Sequence, residues 1–160
     1  MLPIQTIVHP TDFSEGSALA FRLACSLARD YEARLVVVHV AEPPLPLYAS
    51  GVVLPQPLPS REPLRARLQA MIGQQPGVQM EYRLVDGSAA IEILRLAKEV
   101  ECNLIIMGTH GRTGLGRLLM GSVAEHVVRQ APCPVLTVKS PQLAAATAEE
   151  RATAFVGEGL

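Results

Sequence analysis

Short, almost purely apolar runs alternate along this chain with longer stretches in which apolar residues recur every three or four positions. The short runs are typical of strands buried on both faces, and the longer stretches of amphipathic helices. The pattern predicts five strands, at residues 4–9, 34–40, 78–85, 103–107 and 134–139. It predicts four helices between them, at residues 14–31, 61–72, 88–100 and 122–130.

The connections between successive strands are too long for hairpins, and each contains a helix. This indicates parallel strands joined by right-handed crossovers. We therefore expect a doubly wound, three-layer α/β/α domain with helices on both faces of the sheet. Alternating apolar and polar residues at 78–85 predict a strand near one sheet edge, and we expect 135–138 at the other. The pattern alone does not fix the strand order. It would be 3-2-1-4-5 if the chain winds outward from the first strand, returns and continues on the other side.

Length and composition predict one domain. The chain has 160 residues, of which 49% are hydrophobic, enough for one core without disulfides or metal. We assign this domain to residues 1–140. Residues 41–60 hold six of the thirteen prolines and are expected to form a surface insertion, and the alanine-rich residues 141–160 are expected to form a mobile tail.

Charge and cysteine content exclude several classes of protein. Fourteen basic residues against fifteen acidic ones argue against a nucleic-acid partner, and no apolar run approaches the roughly 18 residues of a membrane span. No basic segment precedes an apolar stretch in the way typical of a signal peptide, so none is predicted. The cysteines Cys25, Cys102 and Cys133 are odd in number and far apart in sequence, so we expect buried, inert thiols in a cytoplasmic protein. Packed, hydrogen-bonded roles are expected for His9 and His39 rather than metal binding.

The candidate chemistry lies in a glycine-rich segment, residues 108–122 (GTHGRTGLGRLLMGS), between the fourth strand and the fourth helix. It contains Arg112, Arg117 and His110 but no carboxylate. Glycines allow successive N–H groups to converge on an anion, and a helix start adds unpaired donors, so phosphate is the expected ligand. The segment matches neither the Walker A loop nor the dinucleotide fingerprint, and a simple turn-rich connection is the alternative on glycine count alone.

The spacing Gly108-x2-Gly111-x9-Gly121-Ser122 resembles the signature of the nucleotide-binding branch of the universal stress protein family. The opening IVHPTDFSEGS and residues 104–138 are also similar to that family, and the resemblance covers residues 3–139 apart from the insertion. It implies the strand order 3-2-1-4-5 of an adenine nucleotide alpha hydrolase-like, Rossmann-like fold. It further implies ATP, ADP or AMP as ligand, with Mg²⁺ or Mn²⁺ held through the phosphates, and a homodimer formed through residues 135–138.

The resemblance also implies which residues bind the nucleotide. Asp12 would contact the nucleoside, the backbone of Val40 would contact adenine, and the glycines and Ser122 would hold ribose and phosphates. The implied set is Pro10, Thr11, Asp12, Val40, Met107, Gly108, His110, Gly111, Arg112, Gly121, Ser122 and Val123. Where the family often has proline soon after Gly87, this chain has Ser88, which is a good N-cap.

Alternatives remain open at this point. Asp12 could cap the first helix together with Glu15, His110 could have a structural role in its turn, and the two loop arginines could be solvated. The leading hypothesis is a nucleotide-dependent stress-response regulator without catalytic residues. A slow ATP hydrolase and a dimeric interaction module that binds no nucleotide are the rivals.

Overall fold

The computed structural model describes residues 3–43, 47–49, 52–54, 60–73, 75–109 and 120–139, with backbone only at 47–49 and 52–54. Over these residues the chain forms seven strands and four helices. In chain order they are β1 (Thr6–Pro10), α1 (Glu15–Asp30), β2 (Arg34–Ala41), β3 (Leu47–Ala49), β4 (Val52–Leu54), α2 (Glu62–Gly73), β5 (Met80–Asp86), α3 (Ala89–Glu99), β6 (Leu104–Gly108), α4 (Ser122–Gln130) and β7 (Val135–Val138).

Five of the strands form one parallel sheet in the order β5-β2-β1-β6-β7. Counting only these five strands along the chain, the order is 3-2-1-4-5, so the expected fold class is confirmed. The alternating strand β5 lies at one edge and β7 at the other, as the sequence predicts. None of the described helices is both long enough and apolar enough to cross a membrane.

Two hydrophobic cores lie on the two faces of this sheet. Side chains alternate along each strand, so Val8 faces the core under α3 and α4, while its neighbour Ile7 faces the core under α1 and α2. The central strands are fully covered: Val36, Val37 and Val38 of β2 are all inaccessible to solvent. Such burial on both faces explains why these strands read as continuous apolar runs.

Within the proline-rich insertion, the structure adds an element that the sequence analysis missed. Strands β3 and β4 pair antiparallel, with Leu47 opposite Leu54 and Ala49 opposite Val52. Only two residues separate these apolar triplets in sequence, the spacing of a hairpin, and prolines flank them on both sides. The interpretation of residues 141–160 as a tail lies outside the described residues.

The buried-thiol prediction is correct for two of the three cysteines. Cys25 and Cys102 are buried, whereas Cys133, in the connection between α4 and β7, is only partly buried. Three reduced cysteines are present.

Candidate functional site

The candidate residues lie at the edge of the sheet where the parallel strands end. Ile7 and Val8 of β1 pair with Leu104 and Ile105 of β6, so the loops that follow these neighbouring strands leave the sheet side by side. The end of β2 adjoins β1 on its other side. In doubly wound sheets this edge, at the point where the strand order reverses, is the usual ligand site.

Thr11 organises the loop after β1. Its N–H donates to the carbonyl of Val38 at 2.8 Å, and its own carbonyl accepts from Nδ1 of His39 at 2.7 Å. Its hydroxyl oxygen accepts from the N–H of Phe13 at 3.1 Å and from Oγ of Ser17 at 2.8 Å. The residue is 5% exposed. Thr11 therefore fixes the loop between β1, β2 and α1, and most of its polar atoms serve the fold.

Asp12 is held by one carboxylate oxygen only. Oδ1 accepts from the N–H of Ser14 at 3.0 Å. Oδ2 is inaccessible to solvent and has no hydrogen-bond partner among the described residues. The alternative in which Asp12 caps α1 is wrong, because Ser14 occupies the N-cap and accepts from the N–H of Ser17 at 3.2 Å. Asp12 lies two residues before the cap, and its Oδ2 remains an unsatisfied acceptor. Burying an unsatisfied carboxylate oxygen costs free energy unless a donor binds to it.

His9, on β1, is fully buried and lies near this aspartate. Its Nδ1–H donates to the carbonyl of Ile106 at 2.8 Å, and its ring packs against Phe21 with centroids 5.6 Å apart. Burial lowers the pKa of His9 to about 4, although the hydrogen bond to Ile106 and the charge of Asp12 oppose the shift. His9 is consequently neutral at physiological pH. The predicted hydrogen-bonded roles of His9 and His39 are both confirmed.

Gly108, the first glycine of the motif, has a packing reason to be glycine. A Cβ at this position would lie 3.2 Å from the carbonyl carbon of Gly16 and 3.3 Å from the nitrogen of Ser17. Both atoms are backbone atoms of α1, which cannot move away as a flexible side chain would. The close approach of β6 to α1 therefore favours glycine here, whatever the loop binds, because a larger residue would push against the α1 backbone.

Both ends of the glycine-rich segment are anchored next to each other. Thr109 is 2% exposed, and its N–H donates to the carbonyl of Val138 at 3.0 Å. Its carbonyl accepts from the N–H of Gly121 at 2.7 Å, which closes the base of the connection. His110, Gly111, Arg112 and Arg117 lie outside the described residues, so the structure places the two ends of the motif but not its middle.

Gly121 is the N-cap of α4, with extended backbone angles (φ −71°, ψ 157°) and no side-chain cap. The N–H groups of Ser122, Val123 and Ala124 belong to the first turn and have no partner within the helix. The Ser122 side chain is exposed. Amides without a partner inside the helix and a hydroxyl at a helix start form a site suited to an anion.

Three apolar candidates share one face of the sheet. Val40, Met107 and Val123 all pack into the core under α3 and α4, although they come from three different elements. Met107 is buried, and Val40 and Val123 are half-buried. These three residues therefore lie on the same side of the sheet as the start of α4.

Sequence reasoning missed an open groove on the opposite face. It has a volume of about 490 Å³ between α1 and α2, and its lining includes Phe13, Arg22, Arg67 and Met71. The guanidinium of Arg67 stacks on the Phe13 ring at 4.0 Å, and that ring also packs against His39 with centroids 4.6 Å apart. Nothing in the local sequence pattern indicates this stack, since its members lie far apart in the chain.

Comparison with known proteins decides the family. The model of the universal stress protein family matches residues 3–139. This chain belongs to that family. A family member from Methanocaldococcus jannaschii is 34% identical over 140 residues, which cover 85% of this chain and 82% of that one. One from Thermus aquaticus is 35% identical over 139 residues, covering 84% and 98% respectively.

Solved structures of other universal stress proteins agree with this fold. A family member in complex with cAMP superposes with a TM-score of 0.65 at 28% identity and covers 86% of this chain and 98% of its own. An Archaeoglobus fulgidus member in complex with dAMP gives a TM-score of 0.58 at 23% identity, covering 87% and 100%. Together they confirm the α/β architecture of this chain.

Proposed function

We propose that this protein is a cytoplasmic regulator of the stress response that binds ATP or a related adenine nucleotide at the carboxyl edge of its sheet. The observation that carries the proposal is Oδ2 of Asp12, a buried carboxylate oxygen without a donor among the described residues. A nucleoside offers such donors in its ribose hydroxyls and its amino group, whereas a phosphate offers only acceptors. The universal stress protein in complex with cAMP, at 28% identity, supports the same ligand class.

In this proposal the two ends of the nucleotide occupy different parts of the site. The nucleoside lies near Pro10, Thr11, Asp12 and Val40, with Met107 and Val123 on its apolar side. The phosphates lie against the main-chain donors at Gly108 and Gly111, the first-turn amides of α4 that follow Gly121, and the hydroxyl of Ser122, with His110 and Arg112 beside them. Mg²⁺ or Mn²⁺ would enter on the nucleotide, coordinated mainly by its phosphate oxygens.

Regulation is favoured over catalysis because residues 108–122, which would hold the phosphates, contain no carboxylate that could act as a general base, and Asp12 is assigned to the nucleoside end. Nucleotide occupancy would then be transmitted through the two anchored ends of the glycine-rich segment. A slow hydrolase remains the second candidate, since arginines beside bound phosphates polarise them. Turnover faster than about one per second would favour that enzyme.

Equilibrium binding of ATP, ADP, AMP and cAMP to the purified protein tests the proposal. We expect Gly121→Val to raise Kd at least about tenfold, because its side chain enters the space beside the first turn of α4. The matched control is Gly73→Val, since Gly73 ends α2 with nothing within 4 Å of its Cβ position. We expect a similar loss for Asp12→Asn, with Asp30→Asn at the exposed end of α1 as the control for lost charge.

Each outcome has a defined meaning. Binding that both test variants lose and both controls keep supports the site. Equal binding by Gly121→Val and its control would remove the phosphate-binding role of the α4 start. Failure of the unmodified protein to bind any of the four nucleotides would favour the interaction module that binds none.

A further inference from the structure

Two cysteines that are 31 positions apart in sequence meet at the amino edge of the sheet. Cys102 lies three residues before Ile105 on β6, and Cys133 lies two residues before Val135 on β7. Because Ile105 and Val135 are direct partners in these parallel strands, the residues preceding them are brought together. This edge is opposite the one that holds the candidate nucleotide site.

The two thiols are in direct contact. The Sγ atoms of Cys102 and Cys133 are 2.7 Å apart, and both cysteines are reduced in the structure. The backbone holds both partners in place. The N–H of Cys102 donates to the carbonyl of Ala97 at 2.9 Å, and the carbonyl of Pro134, next to Cys133, accepts from the N–H of Ile105 at 3.0 Å.

The third cysteine is separated from this pair by the sheet. Cys25 belongs to the core under α1 and α2, whereas Cys102 and Cys133 belong to the core under α3 and α4. Burial raises the pKa of the Cys25 thiol to about 11. The chain thus contains one close dithiol and one isolated thiol that serves as an internal reference.

We propose that Cys102 and Cys133 form a site of reversible oxidation that closes an intramolecular disulfide, with a low-molecular-weight disulfide such as oxidised glutathione as the oxidant. The Cys133 thiolate attacks one sulfur of the oxidant, forming a mixed disulfide and releasing one thiolate. Cys102 then attacks Sγ of Cys133 and releases the second thiolate. The two protein thiols lose two electrons and two protons in total, and the oxidant is reduced to two thiols.

Accessibility sets the order of these two steps. Cys133 is only partly buried and is the more accessible thiol to an oxidant in solution, whereas Cys102 is 7% exposed and can reach only its neighbour. Burial, followed by the contact with Cys133, raises the pKa of the Cys102 thiol. Thiolate is the attacking species, so the reaction should accelerate as the pH rises above neutrality.

Mass spectrometry of the reduced, folded protein after incubation with oxidised glutathione at pH 8 tests this site. We expect two thiols to be lost together without a retained glutathione, and peptide mapping to link Cys102 to Cys133. The disulfide should form at least about tenfold faster than any adduct at Cys25. Circular dichroism of each variant establishes that it is folded before its thiols are counted.

Single variants separate the two roles. Cys102→Ser should retain one glutathione on Cys133, because the resolving thiol is missing, and Cys133→Ser should leave Cys102 reduced. The control Cys25→Ser should form the disulfide as the unmodified chain does. A disulfide that involves Cys25, a link between two chains, or three thiols that persist in the folded protein while the urea-unfolded chain is oxidised would each overturn the proposal.

Discussion

His9 shows how one buried side chain makes stability depend on pH. Its pKa falls from the usual 6.5 to about 4 because burial disfavours the charged ring. As the pH drops below about 6.5, the unfolded chain binds a proton at this histidine before the native state does. The contribution of neutral His9 is therefore complete above pH 6.5 and is lost progressively towards pH 4. The full difference is about 3 kcal/mol.

Urea unfolding at pH 7.5 and pH 4.5 measures this effect. We expect His9→Gln to be less stable at pH 7.5, because it loses the fitted ring, but to lose about 2–3 kcal/mol less than the unmodified chain between the two pH values. His126→Gln, at an exposed position on α4, is the matched control and should follow the unmodified chain. An unchanged pH dependence in His9→Gln would show that His9 is not the group responsible.

At the scale of single elements, Ser14 and Ser88 occupy the same N-cap position on two helices but make different contacts. Oγ of Ser14 accepts from the N–H of Ser17 at the start of α1, whereas the Ser88 side chain makes no cap hydrogen bond. At α3 the N–H of Ala89 donates instead to Oε1 of Glu42 at 3.4 Å. Ser88 therefore occupies the N-cap position, as expected, but its side chain does not make the expected hydrogen bond.

This difference predicts unequal effects of the same substitution. Ser14→Ala should lower the free energy of unfolding by about 1 kcal/mol, because it leaves a first-turn N–H of α1 without its acceptor. Ser88→Ala, the matched control, should cost less than about 0.5 kcal/mol. Chemical denaturation of the two variants in parallel gives both values. Equal losses would mean that the cap hydrogen bond of Ser14 does not contribute to stability.

Local patterns predict elements well and contacts poorly, for a physical reason. Helix α4 begins and ends where the sequence predicts, since glycine precedes it and a proline follows shortly after its end. Strand β5 begins at Met80, two residues later than expected. Val78 packs against the core, which explains its apolar character, but the pairing of β5 with β2 starts only at Met80. The pattern contains no signal for partners far along the chain, such as His39 on Thr11 or Cys133 on Cys102.

The candidate site shows the same division. The resemblance implies Asp12, Val40, Gly108 and Gly121 as site residues, and the pairing of β1 with β2 and β6 brings the ends of these strands to one sheet edge. What could not be read from the sequence is why each residue is there. Gly108 packs closely against the backbone of α1, and Thr11 stabilises its own loop through hydrogen bonds. A motif match alone therefore overstates how many of its members are free to bind a ligand.

At the scale of the whole molecule, β7 forms an outer edge of the parallel sheet. Among the described residues, β7 pairs with β6 on one side and with no strand on the other, and Leu136 on this strand is 38% exposed. An edge with unpaired backbone groups and an exposed apolar side chain favours pairing with another strand. We propose a homodimer in which this strand meets the same strand of a second copy, because an isologous contact is closed and self-complementary.

Sedimentation equilibrium at micromolar concentration tests this dimer. We expect the unmodified chain to be dimeric and Leu136→Lys to raise the dimer Kd at least about tenfold, since the symmetric contact places two lysines close together at the interface. The matched control is Ile91→Lys on α3, because Ile91 is a more exposed apolar residue, at 58%, away from this edge. Equal weakening by both variants would place the contact elsewhere. A monomer in the unmodified chain would overturn the proposed dimer.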